Sequence, residues 1–161
     1  MASLKNCTTG CAIANYGSGS EANGCLITGN IFEGMWDHGV YSNYTEGLIV
    51  TGNNFNDCHL GVTCSGPRNV VSGNTFVALS TGAGEKHVSG VQMRDAQYCV
   101  VSDNSFFGTL TSSSPICIDI GCFLTNVQNV VVANNVMRTV GAGKAIRITY
   151  RSTAFTAIDC V

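Results

Sequence analysis

Apolar residues in this chain come in short β-type bursts, and spacing that would favour a helix is almost absent. "CLITGNIF" at 25–32 is followed by "LIVTGNNF" at 48–55, nearly letter for letter, and then by the looser "NVVSGNTF", "CVVSDNSF" and "VVVANNVM". The recurrent asparagines are Asn30, Asn53, Asn74, Asn104 and Asn135, at intervals of 23, 21, 30 and 31 residues. Two residues after each stands Phe32, Phe55, Phe76, Phe106 or Met137; three residues before stands Ile27, Val50, Val71, Val101 or Val132. A second landmark follows each asparagine, "GVYSN", "GVTCS", "GVQMR", "ICIDI" and "KAIRI" in turn, and "GCAIAN" at 10–15 is an earlier, poorer copy.

About six units are therefore predicted, each with at least two short strands. A unit of this size cannot bury its own apolar face, and stacking units as coils solves that, since each coil covers the next. With strands about 4.8 Å apart, six coils make a rod about 29 Å long. The two longer intervals hold "STGAGEKHVSG" and "GTLTSSSPIC", which are expected to bulge outward as loops. The asparagine is expected at the sharp bend, because it tolerates left-handed backbone, and its amides are expected to form a ladder from coil to coil. The Phe column is expected to stack inside.

"TGNIF", "TGNNF", "SGNTF" and "SDNSF", the first three followed by a Gly-Val strand, resemble the right-handed parallel β-helix, or pectate-lyase-like, superfamily. Within it the chain is most similar to bacteriophage tailspikes and tail fibres. The likeness spans about Leu26 to Ile148. It implies an all-β solenoid of about six coils, with residues 1–161 as a single domain belonging to a longer chain. A left-handed β-helix lacks its hexapeptide period here, and a leucine-rich repeat lacks its LxxLxL signature. The superfamily holds lyases, hydrolases, epimerases, tailspikes and adhesins, so the fold alone does not choose a function.

Neighbouring residues on a strand point to opposite faces. In the strand before each asparagine, Leu26, Ile49, Val70, Val100 and Val131 form a second apolar column beside the Ile27 column, and both cannot face inward. The Leu26 column is expected outside, as a subunit interface or as a surface covered by another segment of the chain. Resemblance to tailspikes implies a homotrimer of parallel rods. At the second landmark Val40, Val62, Val91, Ile118 and Ile146 fit the interior, as do Ser42, Cys64, Met93, Ile120 and Ile148. Tyr41, Thr63, Gln92, Asp119 and Arg147 then face out, followed by Asn43, Ser65, Arg94, Gly121 and Thr149.

That outward face is polar and is expected to be flat and open. Guanidinium forks and amides suit sugar hydroxyls and carboxylates, and Tyr41 offers a ring. The candidate ligand-binding residues are Tyr41, Asn43, Gln92, Arg94, Asp119 and Arg147. If the module is catalytic, a glycoside hydrolase needs two carboxyl groups about 5 to 9.5 Å apart, and Asp119 with Asp95 are the candidates. A lyase or epimerase would use Asp119 with Arg94 or Arg147. The alternative for Asp119 is an inter-coil salt bridge.

A second candidate cluster is Trp36, Asp37, His38, Asp57 and His59, on turns of adjacent coils. Carboxylates and histidines together can transfer protons or hold a metal, but no metal-ligand spacing is present. Trp36 suits stacking on a sugar or packing in an interface. "GAGEKHVSG", with Lys86, does not follow the order of a phosphate-binding loop.

The chain is 45% hydrophobic and only 11% charged, with net charge −2, against a usual charged share of roughly 25%. This excludes a disordered chain and gives no basic patch for nucleic acid. No apolar run approaches the length of a membrane helix, so no membrane insertion is expected. The start, "MASLKNCTTG", shows no signal-peptide pattern and reads as the cut edge of a longer protein, with a mature form that has lost its signal as the alternative. Nine scattered cysteines without CxxC fit free, buried thiols and assembly in a reducing compartment. No cofactor is expected. The expected partner is bacterial surface polysaccharide, and the expected place is the tail of a virion assembled in the host cytoplasm, with a secreted protein as the alternative. A polysaccharide-degrading enzyme and a purely structural spacer are the competing functions.

Overall fold

The computed structural model describes residues 2–5, 7, 9–14, 23–77, 89–109, 116–121, 127–140, 144–149 and 159–160. Three parallel sheets of six strands each wind as a solenoid. The first sheet comprises β1(Ser3–Lys5), β4(Ile31–Glu33), β7(Asn54–Asn56), β10(Thr75–Val77), β13(Ser105–Thr109) and β16(Val136–Val140). The second comprises β2(Thr9–Ala14), β5(His38–Asn43), β8(Leu60–Pro67), β11(Ser89–Gln97), β14(Ile116–Gly121) and β17(Lys144–Thr149). The third comprises β3(Leu26–Thr28), β6(Ile49–Thr51), β9(Val70–Ser72), β12(Val100–Ser102), β15(Val131–Ala133) and β18(Asp159–Cys160). Each unit thus carries three strands, because the Asn turn divides the "LITGNIF" segment into two. Much of "STGAGEKHVSG", Lys86 included, and most of "GTLTSSSPIC" lie outside the described residues.

The columns predicted from the repeat are the observed register. Ile27, Val50, Val71, Val101 and Val132 pair from coil to coil, as do Leu26, Ile49, Val70, Val100 and Val131. Phe32, Phe55, Phe76 and Phe106 are buried and stack with ring centroids 4.8–4.9 Å apart and ring planes nearly parallel. That spacing equals the strand spacing, so an unbroken column of rings forms when each coil supplies a ring at the same place.

Asparagine side chains form the ladder. The Nδ2 groups of Asn53, Asn74 and Asn104 donate to the Oδ1 atoms of Asn74, Asn104 and Asn135 at 3.1, 3.1 and 3.0 Å. Each amide also ties its own coil to the previous one, as when Asn74 Nδ2 donates to the Val50 carbonyl at 2.9 Å. The expected reason for asparagine needs correction. The left-handed residue is the one before it, Gly29, Gly52, Gly73, Asp103 or Asn134. Glycine takes the bend on three coils and Asp103 or Asn134 on the other two, and the asparagine after it is retained because its amide can satisfy buried backbone groups on two coils.

Gly10, Gly39, Gly61 and Gly90 answer the Phe column. A Cβ on each would lie only 2.5–2.6 Å from the ring of Phe32, Phe55, Phe76 or Phe106 on the next coil. In the following coil the glycine becomes Cys117, and the residue stacked after Phe106 is Met137 rather than a phenylalanine. A flexible side chain replaces a rigid ring where a larger residue stands opposite.

Cys58, Cys64, Cys99 and Cys117 are free and buried. Burial pushes the Cys58 and Cys117 thiols up to about 11, and Cys64 higher still. They remain protonated near neutral pH and act as small apolar filling. At the C-terminal end Ile146 and Ile148 occupy the interior columns but are 37% and 41% exposed, because β17 is the last strand of its sheet.

Candidate functional site

The outer face of the second sheet holds the candidate residues on a rigid ladder. Tyr41 pairs with Thr63, Thr63 with Gln92, Gln92 with Asp119 and Asp119 with Arg147 in successive coils. Side chains follow the same line. Gln92 Nε2 donates to Asp119 Oδ2 at 3.2 Å, and Arg94 Nε donates to Gln92 Oε1 at 3.0 Å. Arg147 grips Asp119 with two parallel bonds, Nε to Oδ1 at 2.9 Å and Nη2 to Oδ2 at 2.6 Å. The carboxylate in turn raises the Arg147 pKa, chiefly through that hydrogen bonding. Asn43 sits at the strand end, half-buried, and accepts from the Ser65 hydroxyl at 3.4 Å.

The face was expected to be open, and much of it is not. Thr63, Gln92 and Asp119 are buried, while Tyr41, Arg94 and Arg147 are half-buried. Strands one repeat apart bring outward side chains into contact, and each polar group is bound by the next. Asp119 accepts three N–H bonds, so its carboxylate is held in place by Gln92 and Arg147. Asp95 is also buried, and it lies in left-handed backbone inside β11, where the register with β8 shifts between Arg94 and Gln97.

The second cluster joins this face through His38. The His38 and Tyr41 rings lie 4.8 Å apart, and His38 Nδ1 is 2.9 Å from Asp37 Oδ1. Leu60 N donates to the Asp37 carbonyl and His59 N to the Met35 carbonyl, which sets the His59 turn directly on the Asp37 turn. Burial lowers the His38 pKa more than Asp37 raises it, with Arg94 and His59 adding to the lowering. His38 is accordingly a neutral imidazole near pH 7. Its Nε2 and the Ser89 hydroxyl are buried without a hydrogen-bond partner among the described residues. His59 is fully buried, Asp57 is exposed in left-handed backbone, and Trp36 is 65% exposed. No group of three or more His, Cys, Asp or Glu among the described residues could hold a metal ion.

The outer face of the third sheet is different in kind. Leu26, Ile49 and Val131 are exposed, and Val70 and Val100 are half-buried. The next outward positions are Thr28, Thr51, Ser72, Ser102 and Ala133, so no charge interrupts the stripe.

Sequence reasoning did not single out the turn between the second and third sheets. There Tyr44, Arg68 and Tyr98 all have positive φ, at 52°, 59° and 56°. The available signal was positional: coils on either side place Gly47 and Asn129 where Arg68 and Tyr98 stand.

With the geometry in place, the family is clear. The family model for a right-handed β-helix region matches residues 10–161, and the chain belongs to that family. No curated protein and no solved structure matches it.

Proposed function

We propose that this β-helix is a tailspike or tail-fibre module that binds bacterial surface polysaccharide. The observation that carries the reading is at the rim of the second sheet. Trp36 is exposed two residues from His38, whose buried Nε2 has no hydrogen-bond partner among the described residues. An exposed indole stacks on a sugar ring. Tyr41 and Arg94 lie beside it, on strands too rigid to need ordering on binding. The stripe from Leu26 to Val131 suits packing of parallel rods into a homotrimer. Free buried cysteines fit assembly in a reducing host cytoplasm before the rod acts on a virion tail.

Trp36 is the sole tryptophan of the chain, so its fluorescence reports on the site directly. Titration with capsular or O-antigen polysaccharide is expected to shift that emission with saturation, and Trp36→Ala is expected to weaken retention on the same polysaccharide about tenfold. Emission indifferent to every polysaccharide tried, with retention unchanged in Trp36→Ala, would remove the site.

One observation favours an enzyme as the second reading. A buried, neutral His38 beside Tyr41 and Arg94 suits a proton acceptor near a sugar. Reducing-end and unsaturated-sugar assays separate the two, since a binding module produces neither signal and a His38-dependent enzyme loses its signal in His38→Gln.

A further inference from the structure

The turn between the second and third sheets carries side chains at a conformational cost. Left-handed backbone is unfavourable for bulky residues and is normally given to glycine or asparagine. Gly24, Gly47 and Asn129 follow that rule at the same turn position, yet Arg68 and Tyr98 stand in line with them on the intervening coils. Tyr44 has the same backbone sign three residues before Gly47, where the chain enters this corner. Strain kept where the adjacent coils show an easy alternative points to use of the side chain.

The side chains form a coherent surface. Tyr98 and Tyr44 are 55% and 40% exposed, unlike Phe32, Phe55, Phe76 and Phe106, which are buried in the interior. Gln128 Nε2 donates to Gln97 Oε1 at 3.2 Å, which sets two planar amides beside Tyr98. Arg68 is paired with Glu46 on the adjacent coil, so the strip has no net charge from these two residues. Exposed rings, planar amides and a neutralised guanidinium match the faces and hydroxyls of uncharged sugars, with no cationic surplus to favour acidic ones.

We propose that the turn strip of Tyr44, Arg68, Tyr98, Gln97 and Gln128 is a second glycan-binding site, selective for a neutral polysaccharide. It rests on the carbohydrate reading above only for the class of ligand; its residues lie on a different corner of the coil from Trp36. Parallel rods would present copies of the strip along their length.

The test is affinity electrophoresis of the native protein through gels containing mannan, dextran or galactan, each neutral, with polygalacturonate as the acidic control. The variants are Tyr98→Asn, which installs the residue that the next coil already uses at this turn, Tyr44→Asn, and Trp36→Ala. Retardation by at least one neutral polysaccharide is expected, weakened about tenfold in Tyr98→Asn, with a Tm equal to or above that of the parent because the strain is removed. Loss in Tyr98→Asn alone supports the strip and counts against the Trp36 face. Loss in Trp36→Ala alone supports that face and overturns the strip. Retardation by polygalacturonate only, or by none of the gels, also overturns the strip.

Discussion

Two outer faces of the same solenoid invert the usual arrangement. On the third sheet the outward column from Leu26 to Val131 is apolar, and three of its five members are exposed. On the second sheet the outward column of Thr63, Gln92 and Asp119 is polar and buried. Both sit over the same interior and share the same strand spacing. The difference shows that alternation fixes which way a side chain points, while burial depends on what stands beside and above it. A polar column can be buried at acceptable cost when each member completes the next one's hydrogen bonds.

The sharpest way to break this contrast is Asp119→Ala. It strands Arg147 and Gln92, and because Arg147 retains some solvent the expected loss is about 3 kcal/mol, at the lower end for a buried ion pair with one partner removed, read by urea denaturation. A loss near zero would mean that the polar face is solvated after all.

Next in size is Gly90→Ala, where the new methyl would meet the Phe106 ring at 2.5 Å. Overpacking is expected to cost about 2 kcal/mol. Combining it with Phe106→Met, in imitation of Cys117 and Met137, is expected to recover about 1 kcal/mol as a favourable coupling. Additive losses would show that the glycine and phenylalanine columns do not constrain each other.

The smallest effect on stability is expected at the stripe. Ile49→Thr should change the stability of a single rod by under about 1 kcal/mol, because the side chain is already exposed. If the stripe joins rods, sedimentation should still show a weakened oligomer. A chain that sediments as a monomer with isoleucine in place would remove the interface.

Much of the fold was legible in the repeat. The Asn, Phe and aliphatic columns are short-range periodic features, and stacking converts letters at the same place in each unit into vertical neighbours. The third strand per coil was harder to read, because a single Gly-Asn turn splits one apolar burst without interrupting its pattern. The role of asparagine was only half legible: its ladder follows from its position, but the left-handed bend belongs to the residue before it. For the candidate site, the columns of Tyr41, Gln92, Asp119 and Arg147 followed from alternation. Their burial did not, since it depends on contacts across the face. Joining of the two candidate clusters at His38 was likewise invisible, because it rests on a ring contact between His38 and Tyr41 that strand alternation does not foretell. Tyr98 and Arg68 left a trace only as departures from the glycine or asparagine of neighbouring coils.

Hydrogen exchange of the intact protein with and without bound surface polysaccharide compares the two faces in one experiment. Slowed exchange is expected at residues 36–41 and 89–94, with β3, β6, β9, β12 and β15 unchanged by the glycan. Slowing confined to those third-sheet strands, or none anywhere at saturating polysaccharide, would contradict that expectation.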